Sequence, residues 1–386
     1  MSSHNSSTKR THIGVVGGGQ LGAMLASAVL KAGHQITVLD PTPDCPAATV
    51  GAMQIEAGFF DSQNIRALVE QVDVTTVELE NVDTETLNTL AQEGAPVIPQ
   101  PSVVAAIANK LEQKQRYADH GLPTSRFEPM PNPSADGIRA FGLPAVQKAE
   151  CGGYDGRGVA LIRTESDLDN LLPGPSFVEA FVPHQMELGV MVAITPDGES
   201  DTWPVAEMHF NPRGNLLDYL VAPARIPADV AERAQELAVS AVKAMGGIGI
   251  YGVEMFWSDE GELLLNEMAP RTHNSGHYTM DACETSQFEQ QMRILLGLPL
   301  GPTTLNCKAA MVNLLGAQGF EGATVIEGAD QFDDNPNVHV HMYGKHDCRF
   351  LRKMGHLTAL GETVEEALER AQRAAESIVI RGANPV

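Results

Sequence analysis

Residues 146–158 have the sequence VQKAECGGYDGRG, and the interpretation of the whole chain depends on this stretch. It continues an apolar run typical of a buried strand, carries Lys148, and enters a loop with glycines at positions 152, 153, 156 and 158. Glycine lets backbone N–H groups approach an anion closely, and a lysine on a strand beside such a loop suits a polyphosphate ligand. The glycines alone would favour a plain surface hairpin. Lys148 and Arg157, in an otherwise acidic chain, favour a phosphate site instead.

The composition predicts a soluble globular protein of two or three domains. The chain has 386 residues, 43% of them apolar, without a run long enough to span a membrane. Residues 1–11 are polar and predict a disordered lead-in rather than a secretory signal. Five scattered cysteines favour reduced thiols in the cytoplasm. The net charge of −23 argues against nucleic-acid and membrane partners, so a phosphorylated ligand needs a local basic patch, such as the cluster at 345–353.

The N-terminal part predicts a parallel α/β domain. Its apolar pattern predicts, in order, a strand running into a glycine turn over 12–19, a helix over 20–32, a strand over 36–40, a helix over 62–71, a strand over 73–78, a helix over 84–93 and a strand over 95–99. Gly17-x-Gly19-x-x-Gly22 with Asp40 matches the dinucleotide-binding fingerprint. It fits equally well a Rossmann-like domain that keeps the turn for packing or for another ligand. Glu78 ends a strand where open α/β sheets bind ligands.

The middle of the chain predicts a long helix and then a small subdomain. The helix covers 102–120 and places Lys110 and Lys114 on one face, where Lys114 is expected to be solvated. The subdomain carries the glycine-rich loop, a strand over 159–163, a helix over 165–171 and a strand over 176–182. Glu179 and Glu187 could meet an adenine edge and ribose hydroxyls, although each alone is more typical of a solvated strand residue.

A β-hairpin is predicted over 250–271, around the turn sequence SDEGE. Glu254 and Glu267 fall on its adjacent strands, and Asn266 precedes the second. These oxygen donors suit Mg²⁺, and a cross-strand pair of like charges is destabilising without a cation. The polar run 269–283 lacks zinc-ligand spacing and is interpreted as a substrate-facing loop. The remaining predicted elements are helices over 228–245, 284–297 and 363–378 and strands over 308–315 and 338–343.

Taken in order, these motifs resemble the ATP-grasp superfamily and, within it, the N5-carboxyaminoimidazole ribonucleotide synthetase family. The closer match is carried by GGGQLGAM (17–24), GGYDGRG (152–158), NEMAPRTHNSGHYT (266–279) and RKMGHLT (352–358). The resemblance implies an α/β ATP-grasp fold with a Rossmann-like pre-ATP-grasp domain and a small C-terminal domain. The implied boundaries are a lead-in at 1–11, the pre-ATP-grasp domain at 12–103, the ATP-grasp domain at 104–300 with a small lid subdomain at about 125–183, and the C-terminal domain at 301–386.

The same resemblance implies an ATP-dependent carbon–nitrogen ligase of de novo purine synthesis. Members of the family join ATP, bicarbonate and 5-aminoimidazole ribonucleotide into N5-carboxyaminoimidazole ribonucleotide, ADP and phosphate, through carboxyphosphate. The implied cofactors are ATP and Mg²⁺, with bicarbonate as co-substrate, and related enzymes imply a cytoplasmic homodimer. Such phosphoryl transfer needs positioning and positive charge more than a covalent nucleophile, in agreement with a sequence without a Ser-His-Asp signature.

The resemblance also assigns roles to individual residues. The implied ATP-binding residues are Lys110, Lys148, Gly153, Tyr154, Asp155, Gly156, Arg157, Gly158, Val159, Glu179, Ala180, Phe181, Val182, Glu187, Asn266 and Glu267. The implied Mg²⁺ ligands are Glu254 and Glu267. The implied substrate-binding residues are Gln20, Leu21, Glu78, Tyr154, Arg271, His273, Asn274, Lys345, Arg352 and Lys353. Asp155, Arg157 and Arg271 are the implied catalytic residues.

Two positions depart from the family pattern, and other functions stay open. Lys110 stands where many members carry arginine, and Phe210 rather than His209 falls where many carry a histidine near the nucleotide. One alternative is a formate-using glycinamide ribonucleotide transformylase of the same superfamily, against which HNSGHYT and RKMGHLT argue. Another is an NAD-dependent oxidoreductase that uses the first glycine turn, which leaves the hairpin glutamates unexplained. A non-catalytic nucleotide-binding regulator would require a lost metal site.

Overall fold

The computed structural model describes residues 10–153, 158–211 and 216–386. In chain order, the N-terminal elements are β1 (His12–Val16), α1 (Gln20–Lys31), β2 (Gln35–Leu39), α2 (Pro46–Thr49), β3 (Met53–Ile55), α3 (Ser62–Glu70), β4 (Val74–Val77), α4 (Thr84–Gln92) and α5 (Pro101–Ala108). The strands form a parallel sheet in the order β3-β2-β1-β4, which confirms the predicted α/β class. Because β2 and β4 lie on opposite sides of β1, the carboxyl ends of β1 and β4 form the switch point where such sheets bind ligands.

Local sequence explains these elements. The strands are apolar runs because helices cover both faces of a parallel sheet, and Ile13, Val15 and Val16 are fully buried. Two of the helices have aspartate caps: the side chains of Asp61 and Asp83 accept backbone N–H groups in the first turns of α3 and α4.

The predicted strand over 95–99 and the predicted single helix over 102–120 are wrong. Only one parallel bridge joins Val97 to the sheet, because the two prolines of APVIP lack N–H donors.

The long helix is two helices, α5 and α6 (Lys110–Asp119), separated at Asn109 with φ −94° and ψ 105°. The Asn109 side chain accepts the N–H of Glu112 at 2.9 Å. Asparagine favours this capping arrangement over the helix interior, and a new helix therefore begins at Lys110.

The glycine-rich loop belongs to a small antiparallel sheet. Its elements are β5 (Phe127–Met130), α7 (Ala135–Phe141), β6 (Ala145–Ala149), β7 (Val159–Ile162) and β8 (Ser176–Ala180), with strand order β5-β8-β6-β7. The loop links β6 to β7, and Lys148 lies opposite Val159 on one side and Phe177 on the other. The predicted helix over 165–171 is a short 3₁₀ turn at Glu165–Asn170.

A large antiparallel sheet occupies the rest of the chain. Its elements and their neighbours are β9 (His184–Ile194), β10 (Ser200–Thr202), β11 (Ala206–Asn211), β12 (Leu216–Ala222), α8 (Ala228–Ala244), β13 (Gly249–Ser258), β14 (Leu263–Ala269), α9 (Thr279–Ala282), α10 (Gln287–Leu295), β15 (Lys308–Leu315), β16 (Phe320–Glu327), β17 (Val338–Met342), β18 (Asp347–Cys348), β19 (Lys353–Gly361), α11 (Val364–Glu376) and β20 (Val379–Pro385). The strand order is β14-β13-β9-β11-β12-β15-β19-β17, with β10 beside β9, and β18-β16-β20 form a separate sheet. The predicted hairpin is confirmed as β13–β14, whereas the apolar pattern did not predict β19.

The two faces of the large sheet differ in character. Leu188, Val190 and Val192 on β9 pack with the apolar side of α8. Glu187 alternates with these residues and therefore lies on the opposite face. Glu254 and Glu267 are direct cross-strand partners, so they share one face of the hairpin. No helix in the described ranges is long and apolar enough to cross a membrane.

Candidate active site

Lys110 is held at the point where α6 meets the start of the glycine-rich loop. Its backbone N–H donates to the carbonyl of Glu150 at 2.8 Å, just after β6. Its ammonium group pairs with the Glu267 carboxylate on β14. Burial lowers the pKa of Lys110, but attraction to Glu267 and Glu254 outweighs burial and raises the pKa overall. Lys110 is therefore a fixed positive charge beside the hairpin carboxylates.

Lys148 reaches the same hairpin from the small sheet. Its ammonium donates to Asn266 Oδ1 at 2.8 Å and pairs with Glu179 Oε1 at 2.6 Å. Lys148 is 7% exposed and Glu179 is 4% exposed. Lys148 and Asn266, which are both predicted site residues, are thus in direct contact. The Glu179 side chain, in contrast, is fully engaged with basic groups of the protein, so any contact with adenine falls to the backbone that follows it.

The segment after Glu179 connects the small sheet to the large one. The N–H of Ala180 donates to the carbonyl of Arg126 at 2.8 Å. The carbonyl of Val182 accepts a hydrogen bond from His184 Nδ1 at 2.8 Å. Glu187 lies 3.6 Å from His184 Nε2, and burial raises the pKa of its carboxyl group. The structure thus brings the predicted Ala180-Phe181-Val182 edge and Glu187 to the junction between the two sheets.

The carboxylates Glu254 and Glu267 have opposite electrostatic environments. Burial, followed by repulsion from Glu267 and Glu187, raises the pKa of Glu254. Burial would also raise the pKa of Glu267, but attraction to Lys110 and Lys148 outweighs it and lowers that pKa. Lys110 therefore already supplies a cation to one member of the pair. The repulsion that suggested a metal from the sequence remains at Glu254.

The oxygen donors of this hairpin can supply only part of the coordination shell of a Mg²⁺ ion. Within the described ranges, no group of three or more His, Cys, Asp or Glu side chains is arranged to hold a metal ion. Mg²⁺ commonly binds one or two protein carboxylates and completes its octahedral shell with water and substrate phosphates. Two glutamates beside a phosphate-binding lysine match that behaviour, so the site suits a metal that arrives with a nucleotide.

Arg271, in the polar loop after β14, has polar atoms without protein partners. Its guanidinium pairs with Glu80 at 2.9 Å, while its buried Nε has no acceptor among the described residues. Both side-chain amide atoms of Asn274 are also buried without a partner in that part of the chain. His273 lies between these residues in sequence, with Nε2 3.7 Å from Glu254. Because buried polar atoms are normally satisfied, this loop is prepared for a polar ligand beside the hairpin carboxylates.

The basic cluster of the C-terminal region is only partly directed at this site. Lys353 begins β19, and its charge opposes the raised pKa of Glu254, which places it near the hairpin. Lys345 donates to the Lys353 carbonyl at 2.7 Å. Arg352 donates to the carbonyl of Asp347 at 2.5 Å. Lys345 is thus bonded to Lys353, whereas Arg352 is directed to the backbone of β18.

The glycine turn after β1 holds a carboxylate of its own chain. Glu78, just after β4, accepts the N–H of Gly19 at 2.6 Å and that of Gly22. Asp40 accepts the N–H of Gly18 at 3.0 Å. A Cβ on Gly19 would lie 2.6 Å from Glu78 Oε1, so this close approach requires glycine. These N–H groups are the ones that would bind a dinucleotide pyrophosphate, so the structure favours a Rossmann-like turn with another purpose over an NAD site.

The other predicted residues near this turn differ in accessibility. Burial raises the pKa of Glu78 to about 7, although its two N–H donors oppose that shift. Gln20 is partly exposed at the start of α1. Leu21 packs into the apolar core of the domain, so its side chain faces away from solvent.

Four predicted residues, Tyr154, Asp155, Gly156 and Arg157, lie outside the described residues. Their described neighbours Gly153, Gly158 and Val159 show where the loop leaves and rejoins the sheet. Gly158 has φ +75°, and its carbonyl accepts the N–H of Ala149 at 2.8 Å. The loop therefore emerges directly next to Lys148.

Sequence reasoning missed Lys114. The expectation that it is solvated is wrong, because its side chain is 2% exposed and pairs with Glu179 Oε2 at 2.8 Å. The helical spacing of Lys110, Lys114 and Tyr117 contained a signal, because Tyr117 marks that face as buried.

Comparison with known proteins identifies matching families along most of the chain. Residues 10–108 match the ribonucleotide synthetase preATP-grasp domain, residues 115–288 the ATP-grasp domain, and residues 309–370 the phosphoribosylaminoimidazole carboxylase C-terminal domain. The N5-carboxyaminoimidazole ribonucleotide synthase of Bacillus subtilis is 38% identical over 365 residues, which is 92% of this chain and 93% of that protein.

Solved structures of similar proteins also match most of the chain. The N5-carboxyaminoimidazole ribonucleotide synthetase of Thermotoga maritima is 43% identical and superposes with a TM-score of 0.89 over 96% of this chain and 99% of that one. The N5-carboxyaminoimidazole synthase of Aspergillus clavatus, solved with ADP and 5-aminoimidazole ribonucleotide, is 30% identical, with a TM-score of 0.86 over 95% of this chain and 98% of that one.

Proposed function

Because the chain belongs to the N5-carboxyaminoimidazole ribonucleotide synthetase family of the ATP-grasp superfamily, we propose that it carboxylates 5-aminoimidazole ribonucleotide with bicarbonate and ATP. The products are N5-carboxyaminoimidazole ribonucleotide, ADP and phosphate, and the enzyme is an ATP-dependent carbon–nitrogen ligase of purine synthesis. One observation carries the proposal: Lys110, at the start of α6, and Lys148, on β6 of the small sheet, meet the same acidic hairpin. Fixed positive charge beside carboxylates is what ATP phosphates and their metal require.

The reaction proceeds in two steps, phosphorylation of bicarbonate and carboxylation of the amine. A bicarbonate oxygen attacks the γ-phosphorus of ATP, the bond to the β-phosphate oxygen breaks, and carboxyphosphate and ADP form. The exocyclic amine of the ribonucleotide then attacks the carboxyl carbon, phosphate leaves, and the amine loses a proton. Lys110 and Lys148 hold the nucleotide phosphates, and the family resemblance implies that the glycine-rich loop covers them and limits attack by water. Ala180, Phe181 and Val182 hold adenine, and Glu187 holds the ribose.

Mg²⁺ is the metal that this hairpin suits, with Glu254 and Glu267 as its protein ligands. When bound, it would neutralise phosphate charge during transfer. Asn266 keeps Lys148 next to these ligands through the 2.8 Å contact.

The aminoimidazole ribonucleotide binds beside the loop after β14. Arg271 and Asn274 offer buried polar atoms that have no partner in the described structure, which supports a ligand there. Lys345, Lys353 and Arg352 bring positive charge for the ribonucleotide phosphate. His273, Glu78 and Gln20 line the remaining side, and Leu21 packs in the apolar core behind them. Tyr154, Asp155 and Arg157 complete the site by family resemblance, with Asp155 as the candidate base.

We also propose a cytoplasmic homodimer. All five cysteines are free thiols, as expected in a reducing compartment. Related enzymes suggest the dimer, and light scattering of the purified protein will measure its mass.

The decisive experiment measures ADP release with ATP, Mg²⁺ and bicarbonate, with and without 5-aminoimidazole ribonucleotide. We expect strong stimulation by the ribonucleotide that depends on bicarbonate. The variant K148M should lose it, while K243M, which removes an exposed lysine from α8, should keep it. Stimulation by glycinamide ribonucleotide and formate instead would assign the chain to the transformylase reaction. ADP release that neither ribonucleotide stimulates would contradict both reactions.

A further inference from the structure

Lys114 is a charged side chain buried in the middle of the nucleotide-binding region. It lies on α6, one helical turn after Lys110, and is 2% exposed. Its ammonium contacts Thr124 Oγ1 at 2.7 Å, Ser125 Oγ at 3.0 Å, the Leu265 carbonyl at 3.2 Å and Glu179 Oε2 at 2.8 Å. A buried ammonium is retained only where it is paired and hydrogen-bonded, and Lys114 has acceptors from three segments of the chain.

Glu179 is shared between two lysines. Its Oε1 pairs with Lys148 at 2.6 Å, and its Oε2 pairs with Lys114 at 2.8 Å. Ser125 also donates its hydroxyl to Oε2 at 2.6 Å. Burial would raise the pKa of Glu179, but attraction to the two lysines holds that pKa well below its usual range. Burial lowers the pKa of Lys114 to about 8, so Lys114 keeps its proton at neutral pH. Two positive charges therefore face one negative charge.

We propose that Lys114 is a positioning residue that neutralises Glu179 and so leaves the charge of Lys148 available to a nucleotide phosphate. The inference rests on the proposed function, in which Lys148 binds that phosphate. Among the described residues, Lys148 has two acceptors, Glu179 and Asn266, for three N–H groups. The remaining N–H can donate a hydrogen bond to a phosphate oxygen.

Loss of Lys114 would change how many lysines share the carboxylate of Glu179. Glu179 would keep its charge and its burial, and Lys148 would be its only cationic partner among the described residues. An unshared ion pair would then hold Lys148 more tightly and cancel its charge, so that a phosphate competes with Glu179 for the same ammonium. The contacts of Lys148 with β8 and β14 would stay in place, so the defect should appear in nucleotide affinity.

A purely structural role for Lys114 predicts something different. In that case K114M weakens binding because α6 and β14 separate, and a further change at Glu179 cannot restore the affinity. With the charge-sharing role, E179Q in the K114M background removes the competing carboxylate and releases Lys148 again. Removing both members of a buried pair is also far less destabilising than removing one, so the double variant is expected to fold.

The test is calorimetric titration of ADP into the parent, K114M, K114M/E179Q and the control K243M. We expect K114M to bind ADP at least about tenfold more weakly, a difference of about 1.4 kcal/mol, and the double variant to return to the affinity of the parent. In steady-state assays, K114M should raise KM for ATP while KM for the ribonucleotide stays unchanged.

Equal ADP affinity of K114M and the parent would overturn the inference, as would a double variant that binds about tenfold more weakly than the parent. If K114M does not fold, the double variant alone decides by the same criterion. A parent that binds ADP but is not stimulated by the ribonucleotide would refute the proposed reaction and leave the role of Lys114 standing, so the two failures are distinguishable.

Discussion

Replacing His356 with phenylalanine should make the protein less sensitive to acid. His356 is fully buried and stacks between His277 and His341, at ring-centroid distances of 4.5 Å and 4.6 Å. Tyr343 OH lies 2.9 Å from its Nδ1, and its Nε2 has no partner within the described ranges. Burial, and then the neighbouring histidines, lowers the pKa of His356 well below its ordinary value. The charges that surround the stack are Asp281, which contacts His341, and His273, Lys353 and Arg271, which face His277.

The sign and size of the effect follow from proton linkage. The unfolded chain takes up a proton at His356 as the pH falls below about 6.5, whereas the folded protein does not. Stability contributed by this neutral imidazole is therefore complete above that pH and declines below it. Between about pH 7 and about pH 5.5 the loss is about 1.3 kcal/mol for one such group. Glu78, whose pKa is raised, acts in the opposite direction, so the prediction concerns the difference between variant and parent.

Urea unfolding across this pH range measures that difference. H356F should lose about 1.3 kcal/mol less stability than the parent over the same acidification, because phenylalanine keeps the stacking surface but binds no proton. Y343F is the matched control: it removes the hydroxyl next to His356 and should lower stability at every pH while keeping the pH dependence of the parent. Identical pH responses of H356F and the parent would show that folded His356 titrates normally, and the reasoning would then fail.

Three further predictions concern the site. N109A removes the cap of α6 and should cost about 1 kcal/mol in thermal unfolding and raise KM for ATP through Lys110; an unchanged KM would separate the cap from the site. G22A places a Cβ 2.7 Å from Glu78 Oε2, so it should raise KM for the aminoimidazole ribonucleotide but leave ADP affinity unchanged, and weaker ADP binding would argue against this division of the two sites. E267Q should increase the Mg²⁺ concentration needed for half-maximal ATP hydrolysis, and a Mg²⁺ dependence equal to that of the parent would exclude Glu267 as a ligand.

Local patterns predicted the elements that local sequence specifies. The βαβ units at the N-terminus alternate apolar runs with glycine or aspartate boundaries, and the hairpin β13–β14 carries its own turn residues. The break at Asn109 was not predicted, because the apolar pattern continues through it. The competing signal was the preference of asparagine for a helix cap, which outweighed the pattern once the Lys110 N–H bonded Glu150.

The candidate site was predictable in its residues but not in its pairings. Motifs located Lys148, Glu254 and Glu267, whereas the contact of Lys148 with Glu179 joins two strands and depends on tertiary packing. Lys114 was assigned to solvent because a lysine on a helix is usually exposed. Tyr117 on the same helical face could have indicated that Lys114 is buried, but its ion-pair partner Glu179 lies far away in sequence and cannot be identified from helical periodicity.

The pairings explain how an acidic protein can prepare a site for a polyanion. Lys110 pairs with Glu267, Lys148 shares Glu179 with Lys114, and Arg271 pairs with Glu80. Each cation is thus kept in place by a carboxylate before a ligand arrives, which avoids the repulsion of a cluster of unpaired positive charges. At the first glycine turn the anion is already supplied by the protein, because the backbone N–H groups donate to the carboxylate of Glu78. An anion can bind only where positive charge exceeds that of the carboxylate partners, and the two lysines that share Glu179 provide that excess beside the glycine-rich loop.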